Sequence, residues 1–284
     1  MSAHFSSIKK TYPGQVLLVV VLIMVVVLTI VLSLATRSIT NTRLTSQDQD
    51  SKRALSAAEA GIEQALKRNS ANIGSQSFGN DAAIKELSLT SLSGQDILVN
   101  NGLGVSRDDG ADVWFVDHNP DGTPDYSSSN GTTTLTINWG KSNEVCSATA
   151  TTNTMAALEI ILVKGPISSP QAVRYVYDPC TSAPSRQSNI SFTAPTVPGN
   201  TVGGVAFAYS ATLSGITDPL FARIIPLYAD TIVGVQSDVA LPTQGTIVEA
   251  LGTSGNAQRR VNTFRGYPKL PTEFFPYGIF IPQS

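Results

Sequence analysis

The densest collection of chemically capable side chains is Asp117-His118-Asn119-Pro120-Asp121-Gly122-Thr123-Pro124-Asp125. Oxygen-bearing groups fall at loop positions 1, 3, 5, 7 and 9, with glycine at position 6, the order a calcium-binding loop of the EF-hand type uses. Asp117, Asn119, Asp121, Thr123 and Asp125 are therefore candidate calcium ligands. Position 12 is Ser128, where such a loop would place a bidentate glutamate, and no helical pattern flanks it. The competing reading is an Asx- and Pro-rich β-turn between strands at Val113–Val116 and Thr132–Trp139. A site short of one carboxylate would bind calcium weakly, so calcium is the only cofactor to consider and none is required.

Cys146 and Cys180 are the only cysteines. An even count in an exported domain suggests one disulfide, and in the loop-entropy estimate a bridge closing a loop of this size stabilises by about 3–4 kcal/mol. Two buried free thiols are the alternative. The spacing excludes a redox C-x-x-C pair and a zinc ribbon. Catalysis finds little material. Beyond His4 the chain has one histidine, His118, so any Ser-His-Asp or Cys-His arrangement would have to be built in that polar turn. No phosphate-binding G-x-x-x-x-G-K-[ST] or dinucleotide-binding G-x-G-x-x-G occurs, and Gly203-Gly204 stands in a Pro-rich stretch without a basic partner. No enzymatic activity is expected.

The elements that would carry these residues begin with a run from Val16 to Ala35 without a charge. At 1.5 Å per residue it makes roughly 30 Å of helix, the thickness of a bilayer's hydrocarbon core. Only Thr29 and Ser33 interrupt its apolar residues, and both can bond back to their own helix. Lys9, Lys10 and Pro13-Gly14 precede it. A cleaved secretory signal would have a shorter apolar core and a small-residue exit, which Ala35-Thr36-Arg37 does not provide. Neither Gly nor Pro occurs between Thr36 and Ala60, so the helix is expected to continue into an amphipathic stem. Leu55, Ala58, Ile62, Ala65 and Leu66 form one apolar stripe, narrowed by Ala54, Ala58 and Gly61 so that a sheet or helix can approach closely. Asn69, Ser70, Asn72 and Gly74 mark its end.

After residue 74 the pattern changes to strands and turns. Leu135–Trp139 alternates strictly, Leu158–Val163 reads as a central strand, and Val173–Tyr177 alternates again. Residues 186–204 are rich in proline and read as a linker or long crossover. Ala222–Tyr228, Thr231–Val235, Thr246–Leu251 and Arg259–Phe264 supply a second set of strands, with Pro226 marking an edge or bulge. The expected class is α+β: a long N-terminal transmembrane-plus-amphipathic helix followed by a β-rich head of antiparallel sheets, sandwich-like. The expected division is 1–14 leader, 15–36 transmembrane helix, 37–72 extracytoplasmic stem, 73–185 first β-rich part, 186–204 linker and 205–284 second β-rich part. Charged residues are only 14% and the net charge is −2, which leaves no basic field for nucleic acid. Lys9 and Lys10 before the span nearly balance Arg37 and Arg43 after it, so charge alone does not orient the helix. The cysteines in the C-terminal part favour an outside head and an inside N-terminus.

Gly14-Gln15-Val16-Leu17-Leu18 resembles a prepilin junction, and Ser56-Ala57-Ala58-Glu59-Ala60-Gly61-Ile62-Glu63 resembles the Ala-Ala-Glu-Ala-Gly stretch of PilX-type minor pilins and pseudopilins. The resemblance covers about the first 70 residues. Leu158–Leu162, Arg223–Tyr228 and Leu270-Pro271 resemble, more loosely, the heads of pilin-like proteins. It implies that a prepilin peptidase cuts after Gly14 and methylates the amine of Gln15. It further implies a cytoplasmic-membrane protein with its head outside, whose partners are the bilayer, that peptidase and other pilins or pseudopilins met through the N-terminal helix. Major pilins carry Phe at the first mature position and Glu at the fifth; here those positions hold Gln15 and Val19. This resembles tip or priming subunits, which act in filament assembly, adhesion or secretion. The alternative is a membrane-anchored surface or adhesive protein that never polymerises.

Overall fold

The computed structural model describes residues 13–68, 75–79, 81–128, 131–147, 154–181 and 192–269; for 13–15 it describes backbone alone. A single α-helix, α1 (Pro13–Arg68), opens the chain and runs for 56 residues. It is followed by β1 (Gln76–Ser77), β2 (Ala82–Ser91), β3 (Gly94–Leu98), β4 (Ala111–Trp114), β5 (Asp117–His118) and β6 (Pro124–Asp125). Next come β7 (Thr132–Trp139), β8 (Ala157–Lys164), β9 (Gln171–Tyr177), β10 (Thr201–Val202) and β11 (Val205–Ala206). The last five are β12 (Tyr209–Thr217), β13 (Pro219–Leu227), β14 (Val233–Leu241), β15 (Gly245–Ser254) and β16 (Ala257–Gly266).

α1 is continuous because no proline follows Pro13 within it to break the hydrogen-bond ladder, and its threonines satisfy their hydroxyls on its own carbonyls. Thr36, Thr40, Thr42 and Thr45 each donate a hydroxyl to the carbonyl four residues back, at 2.8 to 3.0 Å. Thr29 does the same to Val26, three residues back. Lys67 and Arg68 close the last described turn, where cations favour the negative end of the helix dipole. The expected continuation of the stem to residue 72 lies outside the described residues.

Two four-stranded antiparallel sheets, ordered β12-β7-β14-β3 and β4-β13-β8-β9, pack face to face. Their shared core joins Leu135, Ile137 and Trp139 from one sheet to Leu158, Ile160 and Ile224 from the other. Strict alternation in β7 is what sends those three side chains inward. The Trp139 indole N–H, buried among them, donates to the Ala156 carbonyl at 3.1 Å. β8, read from its unbroken apolar run, is an inner strand covered on both faces. A third antiparallel sheet, ordered β1-β2-β15-β16, lies against α1.

The α+β architecture agrees with the sequence, but the strands interleave across the chain. Each four-stranded sheet takes strands from both sides of residues 186–204. The two β-rich stretches, 73–185 and 205–284, thus fold into one another rather than side by side. The described end of the Pro-rich stretch crosses the sandwich, with Thr193 bridging Tyr177 at one sheet edge and Thr196 bridging Ser210 at the other. Pro226 departs from expectation, since β13 is an inner strand. Its carbonyl accepts from the Asp108 N–H at 2.8 Å, so its nitrogen faces the same side, beyond Ala111, the first residue of β4. The missing N–H therefore costs no rung of the ladder.

Candidate functional site

Most of the exposed large apolar side chains among the described residues lie on the N-terminal helix. Every side chain from Val16 to Gln49 is exposed in the single chain, and α1 is long and apolar enough to cross a membrane. Gly14 and Gln15, the expected processing pair, stand in its first turn. Val19, where a glutamate would be expected in a major pilin, is on the exposed apolar surface.

The lower half of α1 is seated on the head. Ala54, Ala57, Ala58, Gly61, Ile62 and Ala65 are buried against the third sheet, where Ile84, Val248 and Ala250 meet them. Leu55, placed in the stripe by periodicity, is instead 40% exposed. The reason is the closeness of approach: the backbone of Gly252 in β15 sits directly on the helix. A Cβ at Gly252 would fall upon the carbonyl oxygen of Ala54 and 2.6 Å from the nitrogen of Ala58. Only small residues permit that, so the buried stripe follows the alanines and turns Leu55 away. Gly61 is similarly tight, a Cβ there lying 3.3 Å from that of Ala250. At the rim, the Arg259 guanidinium donates to Ser51 Oγ at 2.6 and 2.9 Å, and Arg265 donates to the Leu66 carbonyl at 3.3 Å. Gly252 escaped the sequence reading, although a glycine inside a strand pattern is a known sign of close backbone approach.

The Asp117–Asp125 segment is a small hairpin of β5 and β6, with Asp117 opposite Asp125. Its turn closes on itself. The Asn119 N–H donates to the Thr123 carbonyl and the Gly122 N–H to the Asn119 carbonyl, each at 2.8 Å, and Gly122 adopts φ +85°. The candidate ligand oxygens take part in the same turn. Asp121 Oδ1 accepts from both the N–H and the hydroxyl of Thr123, and Asp125 Oδ1 accepts likewise from Ser127. Those bonds hold both carboxylates below the usual range. Ser128, at the twelfth position, donates its hydroxyl to the Asp125 carbonyl and accepts from the Asp117 N–H. Among the described residues no three His, Cys, Asp or Glu side chains come together as a metal would need. The arrangement is that of an Asx-stabilised turn. Thermal unfolding with and without about 10 mM calcium, tenfold above the weak extracellular range, separates the two readings: coincident curves are expected of a plain turn, and a rise in Tm that is lost in Asp121→Ala is expected of a calcium site.

His118 is held by aromatic packing. Its ring stacks on Tyr267 at 3.5 Å between centroids and meets Trp114 edge-on at 4.6 Å. Both ring nitrogens are buried with no hydrogen-bond partner among the described residues, and burial lowers the imidazole's pKa despite the nearby Asp117 carboxylate. Cys146 and Cys180 are joined by a disulfide with α-carbons 5.5 Å apart, tying the segment after β7 to the end of β9.

Residues 14–63 match the family model described as PilX N-terminal. No curated protein matches the chain, and no solved structure does. The match stops within α1, so the head is known from its own structure alone.

Proposed function

We propose that this chain is a structural minor subunit of a type IV pilus or related pseudopilus, serving at the tip or in priming, and that it has no enzymatic role. The observation that carries this reading is α1 itself. One unbroken helix presents an exposed apolar half to membrane or filament core and holds a β-rich head on its other half. The same helix contains the stretch that matches PilX-type N-terminal regions. Partners would be other pilins or pseudopilins packed along that exposed half, and the bilayer before assembly. The head would lie outside the cytoplasmic membrane, where the Cys146–Cys180 bridge is chemically at home. Gln15 and Val19 in place of the pilin Phe and Glu favour a subunit that docks onto none above it. They equally suit a surface protein that never polymerises.

One experiment addresses both. In cells with an active prepilin peptidase, mass spectrometry should find the mature chain starting at methylated Gln15, present in purified filaments at a small fraction of another pilin. Gly14→Val should abolish the cut by placing a bulky side chain at the cleaved bond. An intact Met1, or cleavage near Ala35, would refute the pilus reading. Absence from filaments after correct processing would favour the non-polymerising alternative, and dominance in them would refute the tip or priming role.

A further inference from the structure

At one end of the sandwich two residues other than glycine hold left-handed backbone. Tyr228, just past β13, has φ +72°, and Asp108, shortly before β4, has φ +63°. A tyrosine gains nothing locally from that conformation, which persists only where the surrounding structure imposes it. Here the imposing frame is explicit. Val105 and Thr231 exchange backbone bonds of 2.8 and 3.1 Å, and the Asp108 N–H donates to the Pro226 carbonyl at 2.8 Å. The Arg107 N–H donates to Asp230 Oδ1 at 2.7 Å. Beside this frame lies an open cleft of about 450 Å³, lined among the described residues by Arg107, Thr154, Tyr228, Ala229 and Asp230.

The stem leaves this end of the head open. α1 packs on β2, β15 and β16. Going along β15, Ala250 meets Gly61, Gly252 meets Ala54, and Gly255 just beyond the strand meets Asp50. β15 therefore starts at the sandwich, at Gly245, and runs toward the membrane-length half of α1. β14 reaches that crossing with its Leu241 end, and the cleft opens beyond its other end, Val233.

The lining sets donors and acceptors beside an apolar surface. Arg107 Nε donates to Asp108 Oδ2 at 3.1 Å, and among the described residues both of its Nη groups have no partner. Asp230 uses Oδ1 on the frame and keeps Oδ2 as an acceptor. Thr154 Oγ1 accepts from the Val145 N–H at 2.8 Å and retains its own proton to donate. Tyr228 and Ala229 supply the apolar part. The carboxylates of Asp108 and Asp230 outnumber the one guanidinium, which disfavours a phosphate, a sulfate or a sugar acid. A neutral pyranose matches what remains. Its C–H groups suit an aromatic ring, and each of its hydroxyls both donates and accepts.

We propose that this cleft binds a neutral saccharide, with Tyr228 packed on the sugar ring, Arg107 and Thr154 donating to its oxygens and Asp230 accepting from its hydroxyls. The bonded frame holds these groups in place before the ligand arrives, so binding has little backbone left to order. That the cleft lies away from the membrane rests on the reading of α1 as the anchored end. The site itself does not, and binding by the purified chain tests it whether or not the chain enters filaments.

The test titrates the full chain, in a detergent without a sugar headgroup, with glucose, galactose, mannose and N-acetylglucosamine. Sialic acid and tetralysine serve as the charged probes. At least one neutral sugar should bind saturably with a Kd on the order of 1 mM, the range ligand efficiency sets for about a dozen heavy atoms. Tyr228→Gly should weaken that binding at least about tenfold with little change in Tm, because glycine takes this backbone conformation without strain. Asp230→Asn keeps an oxygen for the Arg107 N–H and should weaken it at least about threefold. Should Tyr228→Gly fail to fold, Asp230→Asn carries the test. No neutral sugar bound at 20 mM, about twentyfold above that Kd, would overturn the proposal. So would binding of sialic acid or tetralysine alone, or sugar binding that neither variant weakens.

Discussion

Gly252→Ala should loosen the head from its stem and lower Tm by roughly 6–12 °C, the largest effect expected of any single added methyl group in this chain. The added Cβ would collide with backbone, namely the Ala54 carbonyl oxygen and the Ala58 nitrogen, so no side-chain rotation relieves it. Either the helix lifts from β15 or the sheet bends, and the seat of Ala58, Ile62 and Ala65 on Val248 and Ala250 opens. Overpacking commonly costs 1–3 kcal/mol, and a backbone collision belongs at about the top of that range. Gly252 does not occupy the left-handed region, so the penalty is steric rather than conformational. Gly79→Ala, which would meet open space, should melt within about 1 °C of the parent chain and serves as the control. If the two alanine variants melt together, the close contact between α1 and β15 does not hold the head.

How much of this was readable in the residues depends on whether local pattern or tertiary contact decided the outcome. The membrane-length run, the helix continuing past Ala35 and the alternating strand β7 are local, and each emerged where periodicity put it. β2 went unread because Ala82 to Ser91 alternates poorly: only its first turn toward α1 is fully buried, and the rest lies half in solvent. Leu55 was misplaced for a different reason. Hydrophobic periodicity assumes that the largest apolar residues face inward, whereas here contact with a glycine backbone selects the smallest. The interleaved sheets could not be read at all, since pairing β3 with β14 or β4 with β13 is a long-range choice with no local mark. At the Asp117–Asp125 hairpin the residue types were legible but not their use. The same oxygens that can ligate a cation can also accept the N–H groups of a tight turn, and one oxygen each of Asp121 and Asp125 does so here.

Asp112→Ala should rank among the most damaging substitutions in the sandwich, at about 3–5 kcal/mol. Asp112 holds Arg223 through two bonds of 2.6 Å, one to Nε and one to Nη2, in the side-on geometry that suits a guanidinium. The side chains are 6% and 1% exposed, so the truncation removes a carboxylate from beside a buried guanidinium that little water can reach. An exposed pair behaves differently. Lys269 and Asp109 remain about half exposed, and Lys269→Ala should cost no more than about 1 kcal/mol through that ion pair. The distinction between breaking a buried pair and replacing it supplies the sharper check. Arg223→Met combined with Asp112→Leu removes both charges at similar volume, so the double variant should regain much of the stability lost in Asp112→Ala. Thermal or denaturant unfolding of the three variants yields that coupling directly. If the double variant is as unstable as the sum of its single changes, packing rather than the broken ion pair accounts for the loss. If Asp112→Ala is itself nearly neutral, Arg223 is neither as buried nor as dependent on Asp112 as the geometry requires.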